Sequence, residues 1–198
     1  MRIHQPSMFE PRRSKVTGTY RERLTELLSE DLDFHAEDSK YASHNFHSFP
    51  AKFPPQLPAK FIEGLTAVGD TVLDPMSGSG TTVLEAQLAG RRGIAFDIDP
   101  LAVLIGRVKT TAIDRIAVRR AGTEVLKKAK QSVSTRRGAL LSSLAYRWDK
   151  STQEFVNYWF AEEVQVELAA LGDAIQQVEE PAVKVFLELA LSAIIITK

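Results

Sequence analysis

The stretch Thr71-Val72-Leu73-Asp74-Pro75-Met76-Ser77-Gly78-Ser79-Gly80-Thr81-Thr82, with Gly93-Ile94-Ala95-Phe96-Asp97-Ile98-Asp99-Pro100 behind it, decides the fold. Residues 71–73 are β-branched or apolar and follow the turn pair Gly69-Asp70, so they read as a short strand. A glycine-rich loop comes next, and residues 81–89 have a helical composition with Gly90 placed to stop them. Residues 93–97 read as a second, buried strand. Asp99-Pro100 then opens a helix over 101–109, with proline at its favoured first position. A right-handed crossover makes the two strands parallel neighbours, as in a doubly wound α/β sheet.

The loop between the first strand and its helix is a backbone device. Its glycines let main chain approach a ligand without interference from a Cβ, and the helix that follows offers N–H groups with no partner inside the helix. Spacing separates the ligand classes that use such loops. A phosphate-binding P-loop requires a lysine directly after its last glycine, and Thr81 stands after Gly80. A dinucleotide fingerprint requires a third glycine, and Val83 holds that position. The remaining class keeps the loop and adds an acid at the end of the second strand, about 20 residues on, to hold a ribose through its hydroxyls. Asp97 stands there, Asp99 is the alternative, and Ile98 is placed to pack on an adenine face. A site for an adenosyl group without phosphate fits S-adenosylmethionine best.

Around this unit the chain has 198 residues, 44% hydrophobic and 25% charged, the balance of a folded globular protein. The 25 Lys/Arg and 25 Asp/Glu cancel, and there is no cysteine, which excludes disulfide frameworks, thiol nucleophiles and cysteine-based metal sites. His44 and His47, three apart, lack a third ligand placed by the sequence, so they read as packing or surface histidines and no metal is expected. The longest nearly apolar run, residues 185–196, contains Glu188 and is shorter than the roughly 20 residues of a membrane span. The expectation is a cytoplasmic protein with no membrane partner.

Three regions are expected. Residues 1–40 form a polar lead-in arm, with Arg12, Arg13 and Lys15 as possible phosphate contacts and a helix over 21–28. Residues 41–112 form the cofactor-binding α/β half, whose prolines Pro50, Pro54, Pro55 and Pro58 delay any helix until after the last of them. Residues 113–198 read as helical, with a capping box at Ser151-Thr152-Gln153-Glu154 and an apolar face of Val164, Leu168, Leu171, Ile175 and Val178. Charge is segregated: residues 107–137 hold ten Lys/Arg and two Asp/Glu (net +8), and residues 149–188 hold nine Asp/Glu and two Lys (net −7). The basic segment is either a contact for DNA phosphates or a solvated helix. Trp148, Tyr158 and Trp159 are base-stacking candidates, the latter two better suited to core packing.

Asp74-Pro75-Met76-Ser77-Gly78-Ser79-Gly80-Thr81-Thr82 resembles the cofactor motif of the DNA amino-methyltransferases, the adenine-N6 and cytosine-N4 enzymes of restriction-modification and phage systems. The block from His47 to Leu57, reading HSFPAKFPPQL, is similar to the motif that in those enzymes lies beside the methionine end of the cofactor. Residues 93–100 resemble their acidic second motif. The resemblance covers residues 44–109 in consistent order and implies a Rossmann-like class I methyltransferase fold, incomplete in these residues and followed by a helical insert. It implies that Asp74, Pro75 and the backbone of Gly78, Ser79 and Gly80 hold the amino-acid part of S-adenosylmethionine, with Thr81 capping the helix behind. Asp97 and Ile98 would take the adenosyl part. Phe49, Pro50, Lys52 and Phe53 would wall the methionine side, with Lys52 as a carboxylate partner. Asn157-Tyr158-Trp159-Phe160 is similar to an insert of some larger members.

The family's second signature, an Asp, Asn or Ser followed by Pro-Pro and an aromatic residue, is not in this sequence. Its polar group accepts from the target amine and its ring stacks on the flipped base. The one Pro-Pro pair, Pro54-Pro55, precedes Gln56, so no catalytic residue is assigned. The expectation is an amino-terminal part of a longer DNA methyltransferase, complete only with further chain or a complementing one. A non-catalytic cofactor-binding or interaction module and a related RNA guanine methyltransferase are the alternatives.

Overall fold

The computed structural model describes residues 18–50 and 52–196. Arg12, Arg13 and Lys15 lie outside them. Two units divide the described residues, one ending at Thr111 and the other beginning at Ala112.

The first unit opens with α1, Tyr20–Ser29, started by a capping box between Thr19 and Glu22. Helix α2, Gln56–Leu65, begins two residues before Pro58. The expectation of no helix before Pro58 is corrected, because a proline in the first turn lacks an N–H that would have had no intrahelical partner. Strand β1, Thr71–Asp74, leads through the glycine loop to α3, Thr81–Leu88; strand β2, Arg92–Ala95, leads to α4, Pro100–Thr110. The strands pair in parallel with Thr71 opposite Arg92 and Asp74 opposite Ala95. Helix α3 stops as its sequence predicts: the Gly90 N–H donates to the Gln87 carbonyl and the Arg91 N–H to that of Ala86. The buried guanidinium of Arg91 bonds Thr66 through Nε at 3.0 Å and Nη2 at 2.7 Å, tying the end of α2 to the turn before β2.

Ile62, Ala86 and Ala89 form a small core over one face of the sheet, with Val72 against it. The other face differs from the sequence expectation of a buried second strand. Every residue of β2 is exposed, as are Leu73 and Phe96, the last at 62%. A pair of parallel strands covered on one side leaves the alternate side chains facing out. The fold observed is thus a helix-rich α/β unit on a two-stranded parallel sheet.

The second unit is helical. It comprises α5, Arg115–Ala145, kinked at Arg136, then α6, Lys150–Trp159, α7, Glu162–Gln176, and α8, Pro181–Ile196. Its core joins Val125, Ala129, Leu140 and Leu144 of α5 to Val166, Ala169, Ala170, Ala174 and Ile175 of α7. The buried stripe of α7 is therefore built largely on alanines, while Val164 is exposed, because small side chains let the two helices approach closely. Asp149, not Ser151, caps α6: its carboxylate accepts from the Thr152 N–H at 3.0 Å and from the Ser151 and Thr152 hydroxyls. Trp148 packs against the core, whereas Tyr158 and Trp159 are exposed and meet edge to face with centroids 5.2 Å apart, the reverse of the packing their composition suggests. Opposite charges of the two segregated segments meet where Arg137 pairs with Glu162, and Arg147, between the segments, pairs with Asp173, each at 3.0 Å.

Gly80 is the tightest point of the first unit. It is left-handed at φ +75°, and a Cβ there would stand 2.8 Å from the Gly106 Cα of α4. A Gly80→Ala variant is expected to lose about 2–4 kcal/mol, combining left-handed strain with overpacking against backbone. Urea denaturation of the variant and the parent measures this, and an unchanged midpoint contradicts the packing described.

Candidate functional site

The carboxyl ends of β1 and β2 carry the polar groups singled out in the sequence. Beyond β1, Asp74 is half-buried and its Oδ1 accepts from the Met76 N–H at 3.1 Å; Pro75 and Met76 face solvent. The loop is held to the neighbouring strand by backbone, with the Ser77 N–H donating to the Phe96 carbonyl at 3.0 Å. Gly78 and Gly80 both take positive φ, at +48° and +75°, while Ser79 and Thr81 are buried. The turn so formed ends one residue earlier than a Thr81 cap requires: Gly80 is the cap, it offers no side chain, and Thr81 is the first helical residue. The first turn of α3 thus begins without a side-chain acceptor, the arrangement in which a helix N-terminus receives a polar ligand group.

Asp97 joins the two strand ends. Its Oδ2 accepts from the Gly78 N–H at 2.7 Å and its Oδ1 from the Asp99 N–H at 2.9 Å. The N–H groups of Asp99 and Gly78 hold its carboxyl below the usual aspartate range, against an opposing effect of burial. Each oxygen keeps acceptor capacity beyond these bonds. Asp99 has a different task, because its Oδ1 caps α4 through the Leu101 N–H at 2.8 Å. Ile98 between them is 100% exposed, an apolar side chain with one face free for a flat partner.

The aromatic and proline segment reaches the same place. The Phe49 ring lies over Gly78, 3.6 Å from where a Cβ on that glycine would stand. Lys52 turns its ammonium back on its own segment, with Nζ 3.0 Å from the His47 carbonyl and 3.4 Å from that of His44. Pro50 and Phe53 are exposed. The structure therefore gathers Gly78, Asp97 and Phe49 at one point, sets Lys52 against backbone carbonyls, and leaves Pro50 and Phe53 facing solvent.

Sequence reasoning missed what seats this segment. Glu85 is 5% exposed, and its Oε1 accepts from the Tyr41 hydroxyl at 3.0 Å and pairs with Nε2 of buried His44 at 2.6 Å. One signal was available, since Glu85 is the single charged residue in α3. Ser43 adds a bond from its hydroxyl to the Lys109 carbonyl at 3.2 Å, joining the segment to α4. Among the described residues no group of three metal-ligating side chains converges, and no helix is long and apolar enough to cross a membrane.

The sign of the Asp97 shift fixes a pH dependence. A depressed carboxyl contributes its tie when ionised, so the tie is complete above the ordinary aspartate value and is lost as pH falls through the folded one. The Gly78 amide proton is expected to titrate with a midpoint below 3.8 in an NMR pH series. A midpoint at or above that value contradicts the bond.

A family model described as DNA methylase matches residues 12–106. Among curated proteins, the Type II methyltransferase M.MvaI of Kocuria varians is 28% identical over 165 residues, 81% of this chain and 35% of its own length. M.MjaII of Methanocaldococcus jannaschii, also a Type II methyltransferase, is 35% identical over 104 residues, 52% of this chain and 19% of its own. M.PvuII of Proteus hauseri is 45% identical over 51 residues, 26% of this chain and 15% of its own. The chain thus spans about a third or less of these relatives. No solved structure matches it. The glycine loop, the acidic strand end and the aromatic segment all lie inside the matched residues, and over residues 12–106 the chain is a match to the adenine-N6/cytosine-N4 DNA methylase family.

Proposed function

We propose that this chain carries the cofactor-binding half of a Rossmann-like class I DNA methyltransferase, one that uses S-adenosylmethionine to methylate the exocyclic amino group of cytosine (N4) or adenine (N6). The observation that carries the reading is the carboxylate of Asp97 set against the Gly78 N–H at the ends of two parallel strands. An acid at the second strand end and a glycine turn at the first suit a ribose and an amino-acid group held side by side. Asp97 holds the ribose hydroxyls, and Ile98 packs on the adenine. Asp74, Pro75 and the loop Gly78-Ser79-Gly80 with Thr81 hold the amino-acid end, walled by Phe49, Pro50, Lys52 and Phe53.

The cofactor supplies an activated methyl group on a sulfonium. What this chain supplies is position and water exclusion, which for a transfer between two bound partners is a large share of the catalytic task. The family's Pro-Pro-aromatic signature, whose polar residue would accept from the target amine, does not occur in this sequence. In this reading residues 41–112 bind the cofactor, residues 113–198 form a helical insert, and the catalytic motif comes from further polypeptide or a complementing chain. DNA is the partner, reached in the cytoplasm, with the basic segment 107–137 near its phosphates. The missing signature also favours a second reading, a cofactor-binding module without catalysis of its own.

Calorimetric titration of the chain with S-adenosylmethionine tests the proposal, with circular dichroism to establish folding. Saturable binding is expected, weakened about a hundredfold or more in Asp97→Ala, as the loss of hydrogen bonds to a charged acceptor entails. Undiminished affinity in that variant moves the ribose contact to Asp99, and a folded parent chain that does not bind refutes the reading.

A further inference from the structure

Helix α5 carries a stripe of cations along one face. Arg115, Arg119, Arg120, Lys127 and Lys130 are all exposed. They lie on the part of the helix before its kink at Arg136, and at 3.6 residues per turn they fall within an arc of about 140°. Val125 and Ala129, the buried residues of that part, point the other way. The one acid between positions 115 and 130, Glu124, stands outside the arc. Helices ordinarily relieve like charges with acids three or four residues away, and this face has none. None of the five side chains has a hydrogen bond or ion pair among the described residues. Farther along the chain, Arg137 and Arg147 show the ordinary solution, each paired with an acid of α7. The acids of this unit are thus used beyond the stripe and leave it bare.

Five cations on a straight helix form a rigid row roughly 22 Å long, at 1.5 Å per residue. Such a row, of one sign throughout, complements a continuous polyanion better than a small anion, which would occupy one or two of the five. Each strand of a DNA duplex carries a phosphate about every 3.4 Å of axis, so a helix laid against it has more phosphates within reach than the stripe has cations. Contacts of that kind hold a duplex without reading its bases. We propose that this face of α5 is a sequence-independent contact for the DNA backbone, made by Arg115, Arg119, Arg120, Lys127 and Lys130. That the polyanion is DNA rests on the function proposed above; the face and its residues come from α5 itself. None of the five belongs to the site at the strand ends, so the contact works with or without the cofactor.

Fluorescence anisotropy of the whole chain with labelled duplexes of two unrelated sequences, over a range of salt concentrations, tests this. Affinity is expected to agree within about twofold between the duplexes and to fall with salt at a log–log slope of about −3 to −4.5. In Arg119→Gln/Arg120→Gln/Lys127→Gln the slope is expected to flatten by about 2 to 3, and affinity at about 0.1 M salt to fall tenfold or more. Glutamine suits a helix nearly as well as lysine or arginine, and circular dichroism checks that the variant folds. Arg21→Gln/Lys40→Gln/Lys150→Gln removes the same charge from exposed positions elsewhere and is expected to stay within about threefold of the parent. An unchanged slope in the stripe variant, an equal loss in both variants or a parent chain that binds no duplex overturns the inference. Salt-sensitive self-association of the parent in sedimentation, lost with the stripe and competing with DNA binding, overturns it in favour of the acidic segment of a second copy. Titration with S-adenosylmethionine keeps the two readings apart. A chain that binds the cofactor but no duplex loses only this inference, and stripe-dependent duplex binding without cofactor binding upholds it while the cofactor reading falls.

Discussion

One carboxylate holds the working end of this molecule together. Asp97 sits just past β2 and accepts from two backbone N–H groups at once, Gly78 in the turn after β1 and Asp99 at the start of α4. Without it, the two loops at the carboxyl ends of the strands would be joined chiefly by the backbone bonds of Phe96 with Ser77 and Asp74. Two N–H donors favour the charged form of an acid, which is why its carboxyl is depressed although it stands near solvent. The same bonds turn both helix starts toward one point, because α3 begins three residues after Gly78 and α4 directly after Asp99. Close packing of Gly80 on Gly106 then leaves little room for the helices to slide.

A second acid fixes what lies over that point. The segment with His44, His47, Phe49 and Lys52 has no regular secondary structure, so its own backbone cannot hold it in place. Glu85 does so from inside α3, taking the Tyr41 hydroxyl and the His44 ring. A buried carboxylate on a helix is expensive unless its partners are in place, and here the partners belong to the segment that must be seated. Order in the aromatic wall is thereby coupled to the helix that carries the glycine turn.

Much of this was legible in the sequence, because it depends on local chemistry. The β-branched run at 71–73, the Gly-Ser-Gly turn, the Asp-Pro start of α4 and the stop at Gly90 each act within a few residues, and all fall where the pattern puts them. What was not legible depends on distant partners. Pattern alone made β2 a buried strand, but burial needs something packed on it, and Ile94 and Phe96 remain exposed. Trp148 and the Tyr158-Trp159 pair exchanged their expected places, since all three are large and aromatic and only the helix geometry decides which one faces the core. Ser151 to Glu154 read as a capping box, yet Asp149 just ahead of it offers a charged acceptor and wins. The Glu85 seat and the buried Lys109 link residues more than forty positions apart, which no short motif records.

The central claim is that the cofactor site is built within the first unit, from the two strand ends and the segment laid over them. Hydrogen–deuterium exchange with and without S-adenosylmethionine tests this most directly. The account predicts slowed exchange confined to residues 41–53, 74–82 and 95–101, with residues 112–196 unchanged. Protection centred on the helices beyond Ala112, or none at ligand concentrations that saturate binding, would contradict it.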